Sequence, residues 1–358
     1  MIGILLGLII ITYIINRWAL FYGLIDLHYK MEIDKDKAEI GEEIKITSIV
    51  ENRKYLTVPF LNIKETFPKG FNIPQYKYSL FILPFQRVKR SYNMKGEKRG
   101  LYSISEAELE LGDFFGFRSE SQKVKINKEI IIYPEKLDFK EALVPIGSPY
   151  GDISVQRWII DDPLMTIGIR EYTGNEPERF IHWPSSLRYG ELMVKNFDFT
   201  TDNSVMVLLN IETMKPSWRP IEGHLIEKAI SLTRTVIEEF EEAKIPYGLA
   251  TNAKNKNSLH ERGYLIHQGL GQNHLYSILD ILGSIDYKVD TFFENTIKNT
   301  MRKQVNFSTA VIITPRILET YIEPINNLKK AVDRLVVISV EDNLLEDLDN
   351  NIIKYRSR

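Results

Sequence analysis

The feature that most constrains this chain is a change of hydrophobic rhythm partway along it. From Tyr29 to about Pro134, apolar and polar residues alternate with period two: Ile44 and Ile46 with Lys45 and Thr47, Leu61 and Ile63 with Asn62 and Lys64. Turn signals punctuate this stretch at Gly41-Glu42, Asn52-Arg53, Pro68-Lys69-Gly70, Lys95-Gly96 and Gly112-Asp113. Short strands at that spacing predict a β-sandwich, immunoglobulin-like, whose two inner faces share a core. After Ser204 the rhythm changes. Val205 to Leu209 is wholly apolar, as in a strand buried on both faces, and Leu225 to Phe240 carries an apolar stripe at helical spacing. Tyr247 to Ala250, Ala310 to Ile313 and Leu335 to Val340 read as further buried strands. Leu275 to Leu282, Thr291 to Met301 and Ile317 to Ala331 read as helices between them. Such alternation predicts an α/β doubly wound parallel sheet.

The amino terminus follows neither rhythm. Ile2 to Ile15 is apolar on every face, and Asn16 and Arg17 separate it from Trp18, Ala19, Leu20, Phe21 and Tyr22. A helical run of about 14 residues spans roughly 21 Å, short of the ~30 Å hydrocarbon core of a bilayer. Adding Trp18 to Leu24, with Arg17 snorkelling, reaches spanning length and places aromatics at one end. A signal peptide would need a charged start and a small-residue cleavage site, and neither is present. The expectation is a transmembrane anchor over residues 1–24. Arg17 and Lys30 on its carboxyl side orient a cytoplasmic body by the positive-inside rule. The predicted fold class is therefore α+β multidomain: N-terminal transmembrane helix, β-sandwich over 25–135, an inter-domain connection over 136–203, and an α/β domain over 204–358.

Composition removes some functions. The chain's 358 residues carry a net charge of −2, which leaves no basic footprint for nucleic acid. Cysteine is absent, so disulfide frameworks and thiolate metal sites are excluded.

The connection contains an unusually dense segment, Gly168 to Arg188, with Arg170, Tyr172, Gly174, Asn175, Arg179, His182, Trp183 and Arg188. Arginine forks suit carboxylates or carbonyls, and tryptophan buries a large area around one donor. Two readings follow: a structural clasp buried between domains, or a partner-binding surface. This segment resembles the signature of the family known as domain of unknown function fifty-eight. Its members carry an arginine-tyrosine pair before a glycine-aspartate turn, then R-x-I-x-W, matched by Arg179-Phe180-Ile181-His182-Trp183. Asn175 stands where the family has its aspartate, which keeps turn geometry and loses the charge. Lys98-Arg99-Gly100-Leu101-Tyr102 resembles the family's K-R-G-x-Y turn, and Gly112-Asp113-Phe114-Phe115-Gly116-Phe117 its aromatic hairpin.

That resemblance implies that residues 204–358 are similar to a von Willebrand factor A domain. Such domains bind a hard divalent cation through D-x-S-x-S at the end of the first strand. Here Asn210, Glu212 and Met214 hold those places, a degenerate ion site, since a thioether is a poor magnesium ligand. The carboxyl ends of the strands remain where a doubly wound fold exposes polar groups. Asn210, Glu212, Thr213, Thr251, Asn252 and Thr314 are expected to gather there as a protein-docking rim without catalytic role.

Enzyme motifs are missing. His182 beside Ser185 and Ser186 lacks the G-x-S-x-G elbow of a hydrolase. His224 and Glu227 are not part of H-E-x-x-H, and Gly269-Leu270-Gly271 lacks the third glycine of a dinucleotide fingerprint. The sequence thus predicts no enzyme and no cofactor. The resemblance implies a membrane-tethered, protein-binding adaptor for a MoxR-type AAA+ ATPase in the assembly or maturation of other proteins. Alternatives from other classes are an outward-facing adhesion or envelope-binding protein and an unrecognised hydrolase.

Overall fold

The computed structural model describes residues 2–112, 118–146, 158, 166–173, 181–197, 204–215, 222–255, 264–302, 307–341 and 344–358. The expectations for Asp113 to Phe117, Gly174, Asn175 and Arg179 lie outside the described residues. The chain divides into two compact units, Met1–Glu135 with Leu279–Ile285, and Lys136–Ile278 with Asp286–Arg358.

The first unit opens with helix α1 (Ile2–Gly23), followed by β1 (Leu27–Ile33), β2 (Lys37–Ala38), β3 (Glu43–Asn52), β4 (Val58–Thr66), β5 (Gln75–Ile82), β6 (Arg87–Lys95), β7 (Gly100–Gly112) and β8 (Ser119–Ile132). These strands form a three-stranded sheet, β1-β3-β6, and a five-stranded sheet, β2-β8-β7-β4-β5. The period-two positions Ile44, Ile46, Leu61 and Ile63 are all buried. Val50 of one sheet packs with Leu61, Ile63, Leu109 and Leu111 of the other, and Ile44 and Ile46 pack with Ile104, Ile130 and Ile132. Burial of alternate side chains from both sheets makes the two layers one sandwich. In the K-R-G-x-Y turn, Arg99 is buried and its Nη1 donates to the carbonyls of Leu282 (2.8 Å), Gly283 (3.3 Å) and Ile285 (2.9 Å). Tyr102 closes the same turn onto the Lys98 carbonyl at 2.8 Å.

Among the described residues no helix is long and apolar enough to cross a membrane. This corrects the expected anchor over residues 1–24, and with it the single-pass topology and the cytoplasmic placement of the body. Spanning length required Trp18 to Leu24, and the Leu20 and Leu24 side of that stretch packs on the sandwich, while Trp18, Phe21 and Tyr22 stay exposed. Leu20 is buried in the sandwich core with Leu24 packed against it, Asn16 is buried, and Leu111 fills the space beside Gly23. What precedes Asn16 is too short alone.

The second unit contains helix α2 (Phe139–Ala142) and strands β9 (Leu143–Ile146) and β10 (Thr166–Glu171), then helix α3 (Trp183–Tyr189), β11 (Met193–Phe197) and β12 (Val205–Leu209). After these come α4 (Gly223–Glu242), β13 (Tyr247–Thr251), β14 (Ala253–Asn255), β15 (Leu265–Gly269), α5 (Gln272–Ser284), whose carboxyl-terminal part from Leu279 belongs to the first unit, and β16 (Ile285–Val289), which returns to the second unit at Asp286. The chain closes with α6 (Phe293–Arg302), β17 (Thr309–Thr314), α7 (Glu319–Ala331), β18 (Arg334–Ser339) and β19 (Ile353–Ser357). Its sheet has the order β15-β13-β12-β17-β18-β19-β9. The pairs β13-β12, β12-β17, β17-β18 and β18-β19 are parallel, while β15 and β9 add antiparallel edges. Every residue of β12, β13 and β17 is buried, as continuous apolar runs between two layers require. On one face Met206, Leu208, Ala310 and Ile312 meet Phe293 and Ile297 of α6 and Tyr321, Ile325 and Leu328 of α7.

Candidate functional site

The strand-end residues singled out in the sequence do come together. Asn210 follows β12, Thr251 ends β13 and Thr314 ends β17, in neighbouring positions of the parallel ladder. Asn210 Nδ2 donates to Thr314 Oγ1 at 2.9 Å, and Asn210 Oδ1 accepts from the Glu212 amide at 2.9 Å and from Asn252 Nδ2 at 2.8 Å. Asn252 Oδ1 in turn accepts from the Ile211 amide at 2.9 Å, and Thr314 Oγ1 donates to the Arg316 carbonyl at 2.7 Å. Thr251 Oγ1 accepts from the Ala253 amide at 3.2 Å.

This network corrects the docking-rim expectation. Asn210, Glu212, Thr213, Thr251, Asn252 and Thr314 are all buried, so no partner can reach them directly. Their polarity serves one another, as buried polar groups must. Arg316 adds a lid: its Nε donates to Glu341 Oε2 at 2.7 Å and its Nη1 to the Thr213 carbonyl at 3.4 Å, while Nη2 approaches Glu222 at 3.4 Å. The Glu341 carboxylate holds the Arg316 guanidinium above its ordinary pKa.

A divalent ion does not fit Asn210, Glu212 and Met214 as ligands. Both lone pairs of Asn210 Oδ1 already accept hydrogen bonds, and Met214 offers only sulfur. Among the described residues no group of three or more His, Asp or Glu side chains is placed to hold a metal ion. Glu212 turns elsewhere. Its Oε2 accepts from Tyr321 Oη at 2.7 Å, and its Oε1 is buried without a partner. Burial pushes the Glu212 carboxyl above the usual carboxylate range, against the Tyr321 hydrogen bond and the Lys215 charge, which lower it.

The Gly168 to Arg188 segment is differently placed from a buried clasp. Arg170 is exposed on β10, and its Nη1 donates to the Glu171 carbonyl at 3.3 Å. Tyr172 is half-buried, with its amide on the Leu192 carbonyl at 2.8 Å. His182 caps α3: its Nδ1 accepts from the Ser185 amide at 3.3 Å and lies 2.7 Å from Ser185 Oγ. That geometry is an N-cap, with Pro184 in the first turn and Gly190 ending the helix at φ 77°. Trp183 is 60% exposed, Leu187 85% and Tyr189 65%, and Arg188 is exposed beside them. The structure thus places Trp183 and Arg188 on the surface of α3 rather than in a core.

The sandwich contains a cluster that sequence reasoning missed. Glu65 on β4 is fully buried, and four hydroxyls converge on its carboxylate. Its Oε1 accepts from Tyr29 (2.8 Å), Ser48 (2.5 Å) and Tyr78 (3.0 Å), and its Oε2 accepts from Tyr92. Tyr29, Ser48 and Tyr92 belong to the three-stranded sheet, Glu65 and Tyr78 to the five-stranded one. One carboxylate therefore joins both layers. Burial, then the Glu65 charge, pushes the Tyr29, Tyr78 and Tyr92 hydroxyls well above the ordinary tyrosine range. Tyr76 stacks on Tyr92 with ring centres 4.0 Å apart, and Arg90 lies over the Tyr78 ring at 5.0 Å.

No protein-family model matches the chain. A Bacillus subtilis relative described as Uncharacterized protein YeaD is 18% identical over 241 residues, 66% of this chain and 58% of that protein. The match thus spans little more than half of the relative's length. Among solved structures, the CARDB domain of a Pyrococcus furiosus protein covers 30% of this chain and 92% of its own, at 11% identity and TM-score 0.22. A non-cellulosomal cohesin from Archaeoglobus fulgidus covers 29% of this chain and 90% of its own, at 15% identity and TM-score 0.21. Likenesses at those TM-scores carry no argument about this chain.

Proposed function

We propose that this protein works by binding another protein, as an adaptor for a MoxR-type AAA+ ATPase in the assembly or maturation of other proteins. The observation that carries the reading is the exposed set Trp183, Leu187, Arg188 and Tyr189 on one short helix capped at both ends. Tryptophan, tyrosine and arginine are the side chains that dominate protein interfaces, and a capped helix presents them at little entropic cost. The class of partner comes from the resemblance to the family of unknown function fifty-eight; the membrane tether is not part of the proposal. The test is co-purification of the chain with a MoxR-type ATPase, with and without nucleotide. Nucleotide-dependent capture that disappears in Trp183→Ala supports the reading. Absence of capture in both nucleotide states ends it.

A further inference from the structure

Helix α1 meets the sandwich along one stripe and leaves the opposite stripe uncovered. Asn16, Leu20 and Gly23, spaced four and three residues apart, are buried, with Leu20 in the sandwich core. At 3.6 residues per turn, Ile11, Ile14, Trp18 and Phe21 fall on the far side, and each is more than half exposed. Their spacing of three, four and three is that of the a and d positions of a heptad, the pattern by which two helices close along one seam. Gly7 continues the series four residues earlier, and the space where a side chain would stand there is open, which lets a second backbone come close. Trp18 and Phe21 are steadied by Tyr22, whose ring centre lies 4.7 Å and 5.1 Å from theirs. No charge interrupts the stripe, because the single charged residue of α1, Arg17, lies beside it.

We propose that a second copy of this chain covers the stripe, as a parallel two-fold pair of α1 helices. The stripe residues and the flanking Ile10, Ile15 and Tyr22 each offer on the order of 100 Å² at their exposures, so each copy brings roughly 700 Å². The pair then buries about 1,400 Å², inside the range of stable protein interfaces, about 1,200–2,000 Å². An apolar stripe of regular heptad spacing is its own complement, so a two-fold axis sets the same patch of both copies face to face. Charge selects the direction. In a parallel pair Arg17, at a g position, faces the partner's Tyr22 at an e position, where a guanidinium is attracted to the ring. In an antiparallel pair crossing near the middle of the stripe, two Arg17 charges would approach and repel. The sandwich lies on the side of α1 away from the seam, so it leaves the approach open. The inference concerns α1 and stands independently of the adaptor reading.

The experiment uses the full chain, which has no native cysteine. Sedimentation velocity at tens of micromolar should give one species of twice the chain mass. Ile14→Glu combined with Phe21→Glu should raise the dissociation constant at least about tenfold, since apolar anchors give way to like charges facing each other. A second measurement does not depend on how well that variant folds. Under copper-phenanthroline, Ile14→Cys should form an intermolecular disulfide at least about tenfold faster than Tyr13→Cys, which is about as exposed but lies off the stripe. A monomeric unaltered chain, a continuous series of larger species, or equal linking at the two positions overturns the proposal. So does a chain that is monomeric alone and sediments with phosphatidylcholine vesicles, because lipid is then what covers the stripe.

Discussion

Tyr29 donates a 2.8 Å hydrogen bond to Glu65 across 36 positions of sequence, and the bond runs from one sheet of the sandwich to the other. With Ser48, Tyr78 and Tyr92 it gives a buried carboxylate four hydroxyl donors. Glu65→Ala would strand those hydroxyls around a cavity and should cost on the order of 3 kcal/mol or more. Glu65→Gln keeps one acceptor oxygen and should cost less. Urea unfolding with hydrogen exchange at β3 and β6 measures both; equal stability of Glu65→Ala and the unaltered chain would show that the cluster is idle.

The same cluster sets a limit at high pH. Tyr29, Tyr78 and Tyr92 are raised above their ordinary value by burial and then by Glu65. Raised groups contribute stability that is complete below the unfolded tyrosine value of about 10 and is lost as pH climbs above it. Ultraviolet tyrosinate titration should therefore show a class of hydroxyls that ionises only together with loss of sandwich structure. Smooth titration of every tyrosine in the folded chain would contradict this.

Glu212 departs from its usual range in the opposite direction to Glu238, Glu294 and Glu341. Its pKa is raised, first by burial, so its protonated form is favoured in the fold and its stability contribution falls as pH rises past the usual carboxylate value. Glu212→Gln should stabilise the second unit at neutral pH and flatten its pH dependence from mildly acid pH upward. Thermal denaturation across that range checks the sign, and a loss of stability at neutral pH would show that the charge is favourable there.

Trp183→Ala and Leu187→Ala separate binding from folding. Both side chains are exposed, so each substitution should change stability by no more than about 0.5 kcal/mol. A central interface anchor nonetheless costs about 2 kcal/mol of binding or more when truncated, so ATPase capture should fall sharply. Undiminished capture by the double variant would move the contact surface elsewhere.

Much of the layering was legible because it depends on local period. Ile44, Ile46, Leu61 and Ile63 alternate and are buried; the run Val205 to Leu209 is apolar throughout and lies between two helical layers. Clustering of Asn210, Thr251 and Thr314 also followed from their common place at strand ends. Their burial did not, because Tyr321 and Arg316, which close over them, are more than a hundred residues beyond Asn210. Glu65 was readable and was missed. It shares parity with Leu61 and Ile63, which assigns it to the inward face, and a charged residue there demands donors from across the core. At the amino terminus the misreading had the opposite origin: hydropathy counted Leu20 and Leu24 as free, while the sandwich uses them.

At one edge of the large sheet lies β9, whose neighbour among the described residues is β19, with Leu143 opposite Ser357 and Ile146 opposite Lys354. On a ribosome, β9 therefore emerges about two hundred residues before the strand that completes it. Until Ile353–Ser357 are synthesised, its backbone amides and carbonyls stand open to water or to any passing chain. Final assembly of this sheet is a late event in the protein's birth, and a nascent polypeptide stalled short of it would expose an edge that a chaperone could recognise.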